Sequence, residues 1–121
     1  MAKRNLPLTN KMMEVIAARF RALGDPLRLR ILQVLESGET AVNDIVDALG
    51  ATQSNVSRHL QTLYDAGLVG RRREGSNVLY FISDPAVLKI CAIVCQRAEQ
   101  DARAQLGDLH PRRTRPDTST D

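Results

Sequence analysis

Tryptophan is absent from this chain of 121 residues, and tyrosine and phenylalanine occur only twice each. Any core must therefore be filled by Leu, Ile, Val and Ala, and an aliphatic core in so short a chain gains from association with a second copy. Cysteine is equally scarce, at two residues. That argues against a disulfide framework and fits a cytoplasmic protein. No apolar run approaches the ~20 residues of a membrane span. The N-terminal MAKRNLPL is basic but lacks the apolar stretch of a secretory signal. The two histidines, His59 and His110, have no ligand partners at metal spacing. There is no Ser, His and acid constellation and no phosphate-cradling Gly-rich loop, so catalysis is not expected. Internal repeats are absent too. The net charge of +3 is compatible with a nucleic-acid partner but is weak evidence alone.

What is there is organised around Thr52 to Val69, TQSNVSRHLQTLYDAGLV. At 3.6 residues per turn, Val56, Leu60 and Leu63 share one face, with His59 at its margin. Ser54, Arg58 and Gln61 fall opposite. Thr52 is a good N-cap, and Gly67 is where the chain can leave the helix with positive φ. The outward face is polar, with amides, hydroxyls and one arginine. Those groups read base edges: Arg pairs with guanine, Gln and Asn with adenine, Ser with either. An ordinary solvated face carries Glu and Lys pairs, but the first three turns here have no acid for phosphate to repel.

The flanks sharpen this. Thr40 to Leu49 reads as a short helix with Val42, Ile45, Val46 and Leu49 on its apolar side, ended by Gly50. Helix, tight turn and polar-faced helix make a helix-turn-helix. Downstream, Leu68 to Arg73 and Val78 to Ile82 read as strands around the turn residues Glu74 to Asn77. Arg71, Arg72 and Arg73 lie at the neck of this hairpin. From Thr52 to Ile82 there are four Arg against Asp65 and Glu74. The expected fold is mainly α with a β-hairpin wing.

The stretches FRALGDPLRLRILQVLESGE and ATQSNVSRHLQTLYDAGLVGRRREGSNVLYFISD closely resemble the ArsR/SmtB family of small bacterial transcriptional repressors. The resemblance runs in one register from about Ala17 to Arg97, about two-thirds of the chain. It implies a winged helix-turn-helix homodimer, joined through its first and last helices, that leaves operator DNA on sensing an effector. Relatives hold metal at a cysteine pair before the recognition helix or at an Asp-x-His on the final helix. Here the first stretch is Thr40 to Asp44, without sulfur, and Asp84 is followed by Pro85 and Ala86. Neither site is expected.

The remaining helices are read from their stripes and caps. Thr9 to Leu23 carries Met13, Ile16, Ala17 and Phe20 in one stripe, expected to pack in the core. Asp25-Pro26 opens a helix through Leu27, Ile31 and Leu35, which Gly38 closes. Arg28 and Arg30 project from it, suited to phosphate or to a salt bridge. Asp84-Pro85 opens a final helix to about Gln105, with Leu88, Cys91, Cys95 and Ala102 at coiled-coil spacing. Cys91 and Cys95 lie one turn apart on one face. They fit three roles: small buried hydrophobes, sulfur ligands for a soft metal or metalloid shared between two subunits, or thiols that sense oxidation.

The domain expected spans 9–106, between a flexible stretch 1–8 and a disordered tail 107–121. Its partners would be a second copy and double-stranded operator DNA, with no membrane and no certain cofactor. Thr52 and Gln53 would offer the helix N-terminus to phosphate. Gln53, Ser54, Ser57 and Arg58 would read bases, with Gln61 on the same outward face. Arg71, Arg72, Arg73 and Asn77 would hold the wing on the backbone or in the minor groove. The rival reading is a winged helix reused for protein contacts, but such a surface would be expected to have gained acids or apolar residues.

Overall fold

The computed structural model describes residues 8–109, with side chains to residue 106. Of the stretch 1–8 and the tail 107–121 expected to be flexible, residues 1–7 and 110–121, His110 among them, lie outside the described residues. Through Pro85 the chain forms one compact unit: α1 (Asn10–Leu23), α2 (Pro26–Leu35), β1 (Thr40–Ala41), α3 (Val42–Leu49), α4 (Gln53–Asp65), β2 (Val69–Glu74) and β3 (Asn77–Ile82). The second unit is the long helix α5 (Ala86–Leu109).

Three helices of the first unit, α1, α2 and α4, start where a side chain can satisfy the free amides of the first turn; α3 follows Ala41 without a side-chain cap. The Thr9 hydroxyl accepts from Met12 N at 3.1 Å, and Asp25 Oδ1 from Leu27 N and Arg28 N at 2.9 and 3.2 Å. Thr52 Oγ1 accepts from Asn55 N at 3.2 Å. The exit of α4 is a Schellman motif. Gly67 takes φ +79°, its amide donates to Tyr64 O, and Leu68 N reaches back to Leu63 O at 3.0 Å. Leu63 and Leu68 are both buried, so the apolar contact that accompanies this motif is in place.

The core lies between α2, α3, α4 and the sheet. Ile31, Leu32, Leu35, Ile45, Val56, Leu60 and Leu63 are buried, with Tyr80 as the aromatic member. Three readings from sequence need correction. Thr40 and Ala41 are not the start of α3 but a two-residue strand pairing with Tyr80 and Leu79. That contact is tertiary, so no local pattern announces it. The final helix, α5, begins at Ala86 rather than Asp84 and runs to Leu109, past the end expected near Gln105. The α1 stripe is not core: Met13, Ile16 and Phe20 are exposed, Phe20 at 60%. Ala22 is the only buried residue of α1.

The sheet order is β1-β3-β2. β2 and β3 pair from Val69↔Ile82 to Glu74↔Asn77, leaving Gly75 and Ser76 as the wing tip. Gly75 has φ +64°, the left-handed conformation that two-residue hairpin loops demand.

Gly70 is required for a different reason. It pairs with Phe81, whose ring lies across the strand. A Cβ on Gly70 would stand 2.5 and 2.6 Å from two ring carbons. Gly70→Ala should therefore cost about 1–3 kcal/mol through overpacking, and adding Phe81→Leu should recover part of it. Urea denaturation of the two variants checks this; an unchanged midpoint in Gly70→Ala would mean that the ring swings aside freely.

Candidate nucleic-acid interface

The first two turns of α4 carry Gln53, Ser54, Ser57 and Arg58, all exposed, on a helix start without acids. Their opposite face, Val56, Leu60 and Leu63, is fully buried, so the outward direction of the polar set is imposed by the core. Gln53, Ser54 and Ser57 make no side-chain hydrogen bond among the described residues. Arg58 Nη2 donates to Asn55 Oδ1 at 3.1 Å, a contact at the surface. A groove of about 590 Å³ runs beside this helix face. Gln53 and Ser57 line one wall, Asn43 at the start of α3 stands at one end, and Arg73, Ser76 and Asn77 of the wing line the other wall.

Not every residue expected at this surface is free. Arg72 is held in a two-pronged ion pair by Glu39, Nε to Oε2 at 2.7 Å and Nη2 to Oε1 at 2.8 Å, with Glu74 3.5 Å away. The hydrogen bond from Arg72 keeps the Glu39 carboxyl below its ordinary range. Arg71 donates to Gln61 and Tyr80. Gln61 also donates to Asp65 Oδ1 at 2.8 Å. Arg73, by contrast, has no ion pair among the described residues. Sequence reasoning missed Glu39, Asn43, Tyr64 and Tyr80. Only the pairing of β1 and β3 and the angle of the wing bring them here.

His59 stands behind the surface. It was expected at the margin of the apolar face, but it is buried, at 7% exposed. Its Nδ1 lies 2.9 Å from Arg28 Nη1. A guanidinium has only donors, so Nδ1 accepts and the ring proton sits on Nε2. Nε2 faces Asp25 Oδ1 at 4.0 Å. Arg28 also donates through Nε to Ala22 O at 2.6 Å and through Nη2 to Arg21 O at 3.2 Å. The projecting arginine of α2 is therefore a tie between α1, α2 and α4. Burial holds His59 below its ordinary pKa of 6.5; nearby Asp25 opposes this, while Arg58 and Arg28 reinforce it.

On α5, Cys91 is half-buried and Cys95 exposed. Ile90, Ile93 and Val94 on the same helix are exposed at 41, 68 and 63%. Among the described residues no three His, Cys, Asp or Glu come together as a metal site. No described helix is long and apolar enough to cross a membrane.

A family model described as "Bacterial regulatory protein, arsR family" matches residues 25–70. The chain is 36% identical over 104 residues to the "Probable mercury resistance operon repressor" of Streptomyces lividans, covering 86% of this chain and 82% of that protein. Among solved structures, the homodimeric winged helix-turn-helix DNA-binding domain Mb0332 of Mycobacterium bovis superposes at a TM-score of 0.73 with 33% identity, covering 86% of this chain and 95% of that one. The antimony-specific transcriptional repressor AntR superposes at 0.70 with 31% identity, covering 84% of this chain and 91% of that one.

The lowered pKa of His59 has a definite sign. The unfolded chain takes up a proton below about pH 6.5 that the folded chain resists. The stability due to neutral His59 is whole above that value and is lost as pH falls through the lower folded pKa. Asp25 and Glu39 are also lowered, from 3.8 and 4.5, so their contributions drop only at lower pH. Urea midpoints should therefore fall between about pH 7 and about pH 5, and His59→Leu should flatten that limb. A flat wild-type profile would show that His59 takes up its proton as readily in the folded chain as in the unfolded one.

Proposed function

Because the chain belongs to the ArsR family of bacterial regulatory proteins, we propose that it acts as a homodimer whose α4 enters the major groove of operator DNA and whose cysteines govern release. It is a winged helix-turn-helix, DNA-binding transcriptional repressor. The observation that carries the surface assignment is the exposed, unpartnered set Gln53, Ser54 and Ser57, with Arg58, on an acid-free helix start beside Arg73 and Asn77. In this reading those four α4 residues meet base edges, and Thr52 and Gln53 present the helix N-terminus to phosphate. Arg73 and Asn77 place the wing on the backbone, with Arg72 reaching phosphate only by leaving Glu39. The protein works in the cytoplasm and performs no catalysis.

The exposed apolar residues of α1 and, separately, of α5 support association of two copies through both helices. The domain in this reading spans 9–106, opened by the Thr9 cap of α1 and closed within α5. The sensing element is Cys91 and Cys95. Sulfur is a soft donor, and two thiols one turn apart on α5 suit a soft metal or metalloid. One copy offers only two sulfurs, so a second copy would supply the rest. That relatives are named for mercury and antimony supports this class of effector.

Two measurements test the reading. Arg58→Ala should cost about 1–3 kcal/mol on an operator and relax specificity at one position per half-site. Arg73→Ala should weaken all duplexes alike and flatten the salt slope by about 0.9 per lost phosphate contact. Gel shifts across salt concentrations on the promoter upstream of its own gene separate these; equal loss on specific and random DNA in Arg58→Ala would make Arg58 a phosphate anchor.

For the thiols, the double variant Cys91→Ser with Cys95→Ser should bind the operator as wild type does. Arsenite or cadmium should weaken the wild type about 5- to 150-fold and leave the variant bound. Release by peroxide alone would assign thiol oxidation, and release by none of these would leave the cysteines a packing role.

A further inference from the structure

Arg71 belongs to the basic run of the wing, where a phosphate contact is the simple expectation. Its surroundings point elsewhere. Antiparallel pairing sets Arg71 directly opposite Tyr80, on the same face of the hairpin. Its Nη1 donates to Tyr80 Oη at 3.3 Å and to Gln61 Oε1 at 3.0 Å. Both hydrogens of that nitrogen are thereby used. The guanidinium carbon lies 3.8 Å from the centroid of the Tyr64 ring, at cation–π distance. Gln61 is fixed from its other end, since its amide nitrogen donates to Asp65 Oδ1 at 2.8 Å. The amide orientation is therefore consistent with both of its bonds.

Three positions of α4, Gln61, Tyr64 and Asp65, are thus gathered around one side chain from β2 and its neighbour on β3. Among the described residues, side-chain contacts of Arg71 with Gln61 and Tyr64 join the wing to α4. We propose that Arg71 is a positioning residue that locks the wing to the recognition helix, so that both meet DNA as one rigid piece. A lysine cannot replace it, because an ammonium lacks the flat fork that stacks on a ring while donating in its plane. A consequence is that Gln61 and Tyr64 are withheld from base reading, and sequence discrimination rests with Gln53 to Arg58.

This inference rests on the DNA-binding reading, but it has a readout that does not need DNA. The chain has no tryptophan and only two tyrosines, and both touch Arg71. The near-ultraviolet circular dichroism of the free protein is therefore a direct signal from this cluster. The experiment compares wild type, Arg71→Lys, Arg71→Ala and Tyr64→Leu, each checked for folding by far-ultraviolet circular dichroism. Arg71→Lys and Arg71→Ala should both lose the tyrosine signal. On a 30-bp duplex selected by the wild-type protein from a random pool, all three variants should bind about tenfold more weakly. The salt slope should stay that of wild type, and binding to unselected duplex should change less than about twofold. Tyr64→Leu is the informative variant, since it removes no charge.

Wild-type affinity in Arg71→Lys, together with a slope flattened by about one in Arg71→Ala, would overturn the proposal in favour of a phosphate anchor. An unchanged tyrosine signal in Arg71→Ala would overturn it without reference to DNA. If the wild-type protein selects no duplex, the DNA-binding reading fails, and the free-protein signal still decides whether the tie exists.

Discussion

The recognition surface depends on one half-buried guanidinium. Arg28 stands at the junction of α1, α2 and α4, with carbonyls of Ala22 and Arg21 on one side and the His59 ring on the other. A charge taken out of water has to be repaid by hydrogen bonds in good geometry. Here the acceptors are two carbonyls at the end of α1 and a ring nitrogen on α4. Three helix axes are therefore fixed relative to one another by one side chain with a rigid fork of donors. Asp25 completes the arrangement from the start of α2, where its carboxylate also caps the helix. The polar face of α4 owes its direction to this junction and to the buried row Val56, Leu60 and Leu63.

What was legible in the sequence follows the range of the interactions. The caps Asp25 and Thr52 and the exit at Gly67 are decided within five residues, and all three are found where the chain announces them. The wing was visible for the same reason: strand pattern and turn chemistry are local. The strand at Thr40–Ala41 was not visible, because its partners Tyr80 and Leu79 lie far along the chain. Basic residues taken as equivalent proved to differ by their neighbours. Arg72 meets Glu39, Arg71 meets Tyr64 and Tyr80, and Arg73 meets no acid among the described residues. A sequence counts charges, but only the folded chain assigns them partners. The stripe on α1 was read correctly as apolar and wrongly as internal, since periodicity gives a face without saying what covers it.

The residues proposed to read bases and those proposed to sense an effector occupy different units of the chain. The first set lies on α4, before Pro85, while both thiols lie on α5. An effector held by thiols on two copies can alter DNA binding only by preferring one arrangement of those copies over another. In the dimer proposed through α1 and α5, the exposed apolar residues would be more than a means of burying surface: the contact they form would have to exist in two states.

The order β1-β3-β2 places the arginine run on a strand with no neighbour on its outer side. A bare edge strand offers unpaired amides and carbonyls to any passing strand, including another molecule of the same protein. Four consecutive charged residues, Arg71 to Glu74, occupy most of β2. Their mutual repulsion between molecules discourages strand addition along this edge. The wing charges thus serve solubility in addition to the DNA contact proposed for them. A version of this protein stripped of its wing arginines would keep only Glu74 as a charge along this edge, and would present a nearly bare template on which its own copies can stack.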